Sequence, residues 1–257
     1  MQSDFKLSAS KLRTFKACRR KYELSYIEKL KPIQKEEALE MGSNYHSNIE
    51  RILKGETISE EILTQEDAKI YAMSKAFEKY ILPQLPPVFA VEQKFEFKLP
   101  NGSIINGIVD AMTETGMVIE HKSSGTPLDE KYINRLDWDD QVPIYMLATA
   151  TNKCFYTVCQ KPTIRQKQNE SLEEFAERCI KWYEDDTERK AGTFTVVRTP
   201  EDLLEKRQEL EEMSEEIKNA KLFYRNPNHC SIMGCPYSSI CLNYDPDIEP
   251  IGFERGE

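Results

Sequence analysis

The chain has 257 residues, 39% of them hydrophobic and 31% charged, which is enough to bury a core without disulfide support. No apolar run approaches the roughly 20 residues a membrane span needs, and the opening MQSDFKLSASKLRTFKACRRKY lacks a signal-peptide stretch, so a cytoplasmic protein without membrane association is expected. The net charge of −9 argues against a polyanion partner only until its distribution is read: residues 1–31 carry nine Lys or Arg against three acids.

Elements follow in chain order. Leu12, Phe15, Leu24, Tyr26 and Ile27 predict a helix over Ser8–Tyr26, capped at Ser8 or Ser10. A second helix is expected from Glu36 to Leu53, with Leu39, Gly42, Tyr45, His46, Ile49 and Leu53 at helical spacing, and a third from Gln65 to Leu82, stopped by Pro83. The period then changes to two. Val88–Leu99 alternates, Asn101-Gly102 is a hairpin signal, and strands are expected at Ser103–Met112 and Met117–Lys122 around a Thr115-Gly116 turn. A helix over Asp137–Ala150, a strand at Cys154–Gln160, and helices at Ser171–Thr187 and Pro200–Leu222 complete the pattern. The expected fold class is α/β: one domain with a mixed central sheet flanked by helices. The acidic Glu201–Lys218 and the tail after Tyr244 read as solvated surface remote from any binding face.

Gly107-Ile-Val-Asp110 and Glu120-His-Lys122 carry the most chemistry. In a hairpin Asp110 and Glu120 stand side by side, and alternation puts Glu120 and Lys122 on one face. Two converging carboxylates suit Mg²⁺ or Mn²⁺, and a lysine beside them can act on a water or stabilise phosphoryl charge. Either motif alone is more simply a strand end or an exposed charge pattern. His46 adds an imidazole from a helix that Gly42 lets pack close to the sheet. Gln141 and Tyr145, four apart, share a helix face.

Together these residues resemble the PD-(D/E)XK nuclease superfamily, in its branch of RecB-type, CRISPR-adaptation and bacteriophage nucleases with a restriction-endonuclease-like core. By that resemblance His46, Asp110, Glu120 and the main-chain carbonyl of His121 would bind the divalent metal. Lys122 would act on the attacking water, and Gln141 and Tyr145 would contact DNA. Glu92, on the preceding strand, could assist the site but reads more simply as structural, and the His121 side chain alternates away from the site.

Cys230, Cys235 and Cys241 cluster near one end of the chain, and Cys18 could supply a fourth thiolate. Their spacing lacks paired C-x2-C knuckles, and it resembles the 4Fe-4S arrangement of this branch, with four residues where two are usual between the first two grouped cysteines. Structural Zn²⁺, with His229 substituting, is the alternative. The cluster would join a basic N-terminal helix (8–30) to the segment 223–244, around a nuclease core of about 36–200. Cys154, Cys159 and Cys179 read as core packing. Lys11, Arg13, Lys16, Arg19, Arg20 and Lys21, with Lys161 and Arg165 further on, read as sequence-independent phosphate contacts.

The resemblance implies a metal-dependent DNA exonuclease of phage recombination, repair or genome processing, acting in the host cytoplasm if phage-encoded. Without a P-loop, unwinding would fall to a helicase partner, and a single-strand annealing protein is the other partner class. A non-catalytic DNA-binding adaptor and an end-trimming endonuclease are the rival readings.

Overall fold

The computed structural model describes residues 5–33 and 37–256, with the side chains of 37–39 and 231–233 left aside. A short strand, β1 (Lys6–Leu7), leads to Ser8, whose hydroxyl accepts the Lys11 amide and starts α1 (Ala9–Ala17). The single helix expected through Tyr26 is broken at Cys18, whose φ of −163° and ψ of 115° are extended. Its amide closes α1 on Thr14, and α2 (Arg19–Tyr22) restarts beyond it and runs on as a π turn to Ile27. The interrupted backbone is satisfied from far along the chain: Asn226 Nδ2 donates to Ala17 O at 2.8 Å and the Arg20 amide to Tyr224 O at 3.1 Å.

After β2 (Leu30–Pro32) comes α3 (Glu37–Leu53); the expected start at Glu36 and the side chain of Leu39 lie outside what is described. A Thr64/Asp67 capping box starts α4 (Gln65–Ala76), which continues through a π turn into a 3-10 turn holding Pro83. β3 (Val88–Lys98) and β4 (Ile104–Thr113) flank the Asn101-Gly102 turn, where Gly102 supplies a left-handed φ of 85°. β5 (Val118–Ser124) follows.

The helix expected over Asp137–Ala150 is shorter. α5 (Glu130–Asn134) and a 3-10 turn at Arg135–Trp138 precede α6 (Val142–Thr149). Asp139 sets the boundary, because its Oδ1 accepts the amides of Gln141 and Val142 at 2.8 and 2.9 Å. β6 (Lys153–Gln160) precedes α7 (Leu172–Trp182), which starts at a Ser171/Glu174 capping box and ends at Trp182 rather than Thr187. The chain then adds β7 (Ala191–Val197), absent from the sequence expectation, followed by α8 (Pro200–Asn219), α9 (Pro227–Met233) and β8 (Phe253–Arg255).

The chain forms two compact units. The sheet unit comprises Glu37–Phe95 and Ile108–Leu203. In it β5 runs antiparallel to β4 (Ala111↔Ile119) and parallel to β6 (Glu120↔Tyr156), β6 runs antiparallel to β7 (Cys154↔Val196), and β3 pairs with β4. Helices cover this mixed sheet with two apolar clusters. One joins Tyr45, Ile49, Met73, Phe77, Phe175 and Cys179 to Cys159, and the other joins Val142, Tyr145 and Met146 to Cys154, Tyr156 and Val158. Along β6, Cys159 thus serves one cluster and its even-numbered neighbours the other, as a period of two requires. Cys154, Cys159 and Cys179 are buried packing residues, as expected. Gly42 is not forced: a Cβ there would meet only Ser123 Oγ at 3.8 Å, an ordinary contact, although α3 does pack on β5.

The terminal unit comprises Met1–Glu36, Glu96–Gly107 and Leu204–Glu257. Here β1 pairs parallel with the start of β4 (Lys6↔Ile104), and β2 pairs antiparallel with β8 (Leu30↔Arg255). Leu24, Leu30, Tyr237 and Phe253 form a small core, and Tyr237 OH donates to Leu30 O at 2.8 Å. N- and C-terminal segments are therefore joined by a ladder, a core and the hydrogen bonds around Cys18.

Candidate active site

The β4–β5 hairpin does what the alternation predicts. Asp110 lies one step beyond the Ala111↔Ile119 pair, and its Oδ2 accepts the His121 amide at 2.8 Å. The Glu120 side chain is only 1% exposed. One of its oxygens accepts Lys122 Nζ, while Oε2 is buried with no partner among the described residues. Burial, and then the charge of Asp110, raise the Glu120 carboxyl well above the usual range, with Lys122 offsetting part of this. Burial pulls down on Lys122 itself, yet Glu120 and Asp110 hold it above its ordinary value.

His46 reaches the same place from α3, with Nδ1 3.8 Å from Asp110 Oδ2 and a hydrogen bond to the His121 main chain. Burial keeps its imidazole below the ordinary value against the pull of Asp110, which favours the neutral form a metal would need. The His121 side chain points elsewhere: its Nδ1 shares a 2.6 Å hydrogen bond with Thr157 Oγ1, and its ring meets Phe77 edge-on at 5.4 Å. Burial takes that imidazole down to about 4.

Gln141 Oε1 accepts Lys122 Nζ at 3.1 Å, and its amide donates to the Tyr145 hydroxyl. Tyr145 is buried, packed edge-on against Phe95 at 5.5 Å, and held far above the usual phenol range by burial and then by Glu120. The pair thus steadies Lys122 from within.

One residue escaped the sequence reading, and a second lies closer to the site than a structural role requires. Asp139 positions Gln141 at the start of α6, and its Oδ2 lies 3.3 Å from the Tyr156 hydroxyl; an aspartate three residues before an apolar helix is a legible capping signal. Glu92 carries a left-handed φ of 51° inside β3. Burial, then Asp110 and Glu50, raise its carboxyl, so its charge is felt at the site.

Among the described residues, no three of His, Cys, Asp and Glu already stand as a metal cage. The donor chemistry nevertheless fits a hard divalent cation: a neutral imidazole, Asp110, and a buried glutamate with an unsatisfied oxygen that a cation would neutralise.

In the terminal unit Cys18 is buried, Cys235 and Cys241 are half-buried, and Cys230 is exposed. Burial raises the Cys235 thiol, with Cys230 and Cys18 adding to the rise, so both sit within electrostatic reach of Cys235. Cys241 lies in the same segment, its amide donating to Tyr237 O at 2.9 Å. His229 Nε2 is buried without a partner among the described residues. The basic side chains of α1 and α2 are largely answered inside this unit: Lys16 pairs with Glu209, Arg19 with Glu216 and Arg20 with Glu23, while Arg13 is exposed. The acids of α8 are therefore not remote from the basic helix, because two of them lie on it. In the sheet unit Lys161 is half-buried and Arg165 exposed.

Acidic side chains and a lysine on adjacent strands of a helix-covered mixed sheet define a carboxylate–lysine α/β protein. Residues 6–242 match the family model of the PD-(D/E)XK nuclease superfamily, and the chain belongs to that superfamily. No curated protein matches it in sequence. Among solved structures, one named "Putative exonuclease" from Eubacterium rectale is 11% identical, with a TM-score of 0.57 over 89% of this chain and 86% of that one. A phage-related exonuclease from Haemophilus somnus 129PT is 14% identical, with a TM-score of 0.43 over 83% of this chain and 93% of that one. At such identity the first likeness shows the fold alone. Among the described residues no helix is long and apolar enough to cross a membrane.

Proposed function

We propose that this nuclease is a divalent-metal-dependent DNA exonuclease working at Asp110, Glu120 and Lys122. The observation that carries the reading is the buried Glu120, which has one oxygen on Lys122 and the other unpaired beside Asp110. Such a cluster is costly as a structural feature, and it is what a cation-dependent centre requires. His46, Asp110, Glu120 and the His121 carbonyl would hold Mg²⁺ or Mn²⁺, which supplies charge stabilisation at the phosphate when bound. Lys122, steadied by Gln141, places a cationic donor where water meets phosphorus and can hold or pass a proton there. The exonuclease assignment is supported by the name of the Eubacterium rectale structure. A 4Fe-4S cluster on Cys18, Cys230, Cys235 and Cys241 is proposed as a clasp on the terminal unit, supported by the field that Cys230 and Cys18 exert at the Cys235 thiol.

End-labelled duplex incubated with Mn²⁺ tests the activity. Progressive shortening by the wild type, abolished in Asp110→Asn, supports it; discrete internal fragments replace exonuclease with endonuclease; no cleavage with any divalent ion overturns the enzymatic reading. Anaerobically purified protein should carry iron and absorb near about 400 nm. Stoichiometric zinc in a colourless protein defeats the cluster.

A further inference from the structure

We propose that the Trp138 indole is a stacking platform for one unpaired nucleobase of the strand engaged at the Asp110–Glu120–Lys122 site. This rests on the nuclease reading and adds a substrate class: single-stranded or frayed ends rather than closed duplex. Trp138 is 85% exposed, which is unusual for so large an apolar ring. Its mount is firm. The preceding Leu136 is buried, Arg198 donates to the carbonyls of Leu136 and Asp137 at 3.2 and 2.7 Å, and the Asp139 amide closes on Leu136 O at 3.2 Å. Immediately after it, the Asp139 side chain is fixed on the first amides of α6. The backbone that carries the exposed indole is thus set before any ligand arrives.

The place is specific. Trp138 stands three residues before Gln141, whose side chain holds Lys122, so the two Cα atoms are at most about 11 Å apart. The indole is thus carried by the turn that leads directly into the residue bracing Lys122. The surrounding charge selects the part of the nucleic acid that can dock. The stretch from Asp129 to Asp140 holds Asp129, Glu130, Asp137, Asp139 and Asp140 against Lys131 and Arg135, and the Arg135 guanidinium lies over the Tyr132 ring at 5.1 Å. Phosphates are repelled there, whereas the uncharged face of a base is not. Stacking of a base on tryptophan is tolerant of sequence, and a base inside a duplex has no free face to offer.

The chain has only two tryptophans, which makes the test direct. Trp182 is packed edge-on against Tyr183 at 5.0 Å, under the Lys190 ammonium. Oligo(dT) titrated in Ca²⁺ at fixed salt should quench the emission of the wild type and of Trp182→Phe saturably, and leave that of Trp138→Leu unchanged. Trp138→Leu should bind oligo(dT) roughly 5- to 150-fold more weakly, the span that loss of one aromatic stack gives, and Trp138→Phe should recover most of the loss. KM on single-stranded substrate should rise with kcat nearly constant. Unquenched Trp138 emission, or equal oligo(dT) affinity in Trp138→Leu, with wild-type cleavage intact, overturns the platform and leaves the nuclease standing. A change of oligomeric mass in Trp138→Leu without a change in affinity also overturns it, and makes the indole a protein contact. A wild type that neither binds nor cleaves any DNA removes the nuclease reading and the platform together.

Discussion

Charge is handled in opposite ways in the two units. In the terminal unit Lys16, Arg19 and Arg20 each have a glutamate, and Arg19 is also held between the rings of Phe15 and Tyr224 at 4.8 and 4.7 Å. These pairs are partly exposed and cheap, each worth about 0–1 kcal/mol. In the sheet unit Glu120 is buried beside Asp110, and Lys122 answers only one of its oxygens. Desolvating such a group without full pairing costs several kcal/mol, a cost a fold retains where a ligand relieves it. Density of charge marks the first region and deficit of pairing marks the second. The deficit is the better pointer to chemistry.

The hardest test of that contrast is removal of the carboxylate or the lysine. Asp110→Asn and Lys122→Ala should each lower the cleavage rate by about 10²–10⁴-fold while DNA affinity stays within a few-fold. Equal loss of binding and cleavage would make these residues structural, and the contrast would fail. A smaller effect follows from the ion itself. Mg²⁺ or Mn²⁺ at about 100 times its Kd should add roughly 2.7 kcal/mol to the stability of the wild type and almost nothing to Glu120→Gln. Without the ion, the raised Glu120 carboxyl makes the folded chain the tighter proton binder. Its contribution to stability therefore falls as pH climbs from the ordinary 4.5 through the raised value. Urea midpoints across that window, with EDTA or with Mg²⁺, should show this slope in the first series and a flatter one in the second.

The hairpin and its carboxylates were legible because they are local. Alternation, an Asn-Gly turn and a Thr-Gly turn specify which side chains share a face without help from the rest of the chain. The break at Cys18 was not legible: α1 and α2 are helical in pattern, and the groups that satisfy the gap, Asn226 and Tyr224, lie some two hundred residues away in sequence. β7 escaped because only Ala191 and Val196 are buried along it, with threonines between, so its apolar alternation is faint. The exposure of Trp138 was hidden in the same way, since a helix through Asp137–Ala150 would have given that ring no special setting. Asp139 was misplaced inside that helix, whereas the fold uses it as a cap. Asp139→Ala should therefore cost about 0.5–2 kcal/mol and slow cleavage by loosening Gln141, while Asp139→Asn, which can still accept the two amides, should recover most of both. Thermal denaturation and single-turnover rates on the two variants check this. A rate unchanged in Asp139→Ala would detach Gln141 from the action of Lys122.

The smallest expected effect bears on what the paired charges of the terminal unit are for. Neutralising Glu209 and Glu216 together, as Glu209→Gln and Glu216→Gln, removes the carboxylates paired with Lys16 and Arg19. Stability should change by no more than about 1 kcal/mol per pair, because both pairs are part-exposed. If the basic helix meets phosphate, these two cations, without their glutamates, should tighten DNA binding and steepen the dependence of log affinity on log salt by up to about 2. If Lys16 and Arg19 serve only to seat α8 on α1, affinity and salt slope should both stay where they are. The second result would confine nucleic-acid contact to the sheet unit and leave the basic segment as a packing device. The first would mean that the acids of α8 restrain a binding surface with their own charge, so that DNA competes with the protein for the same two cations.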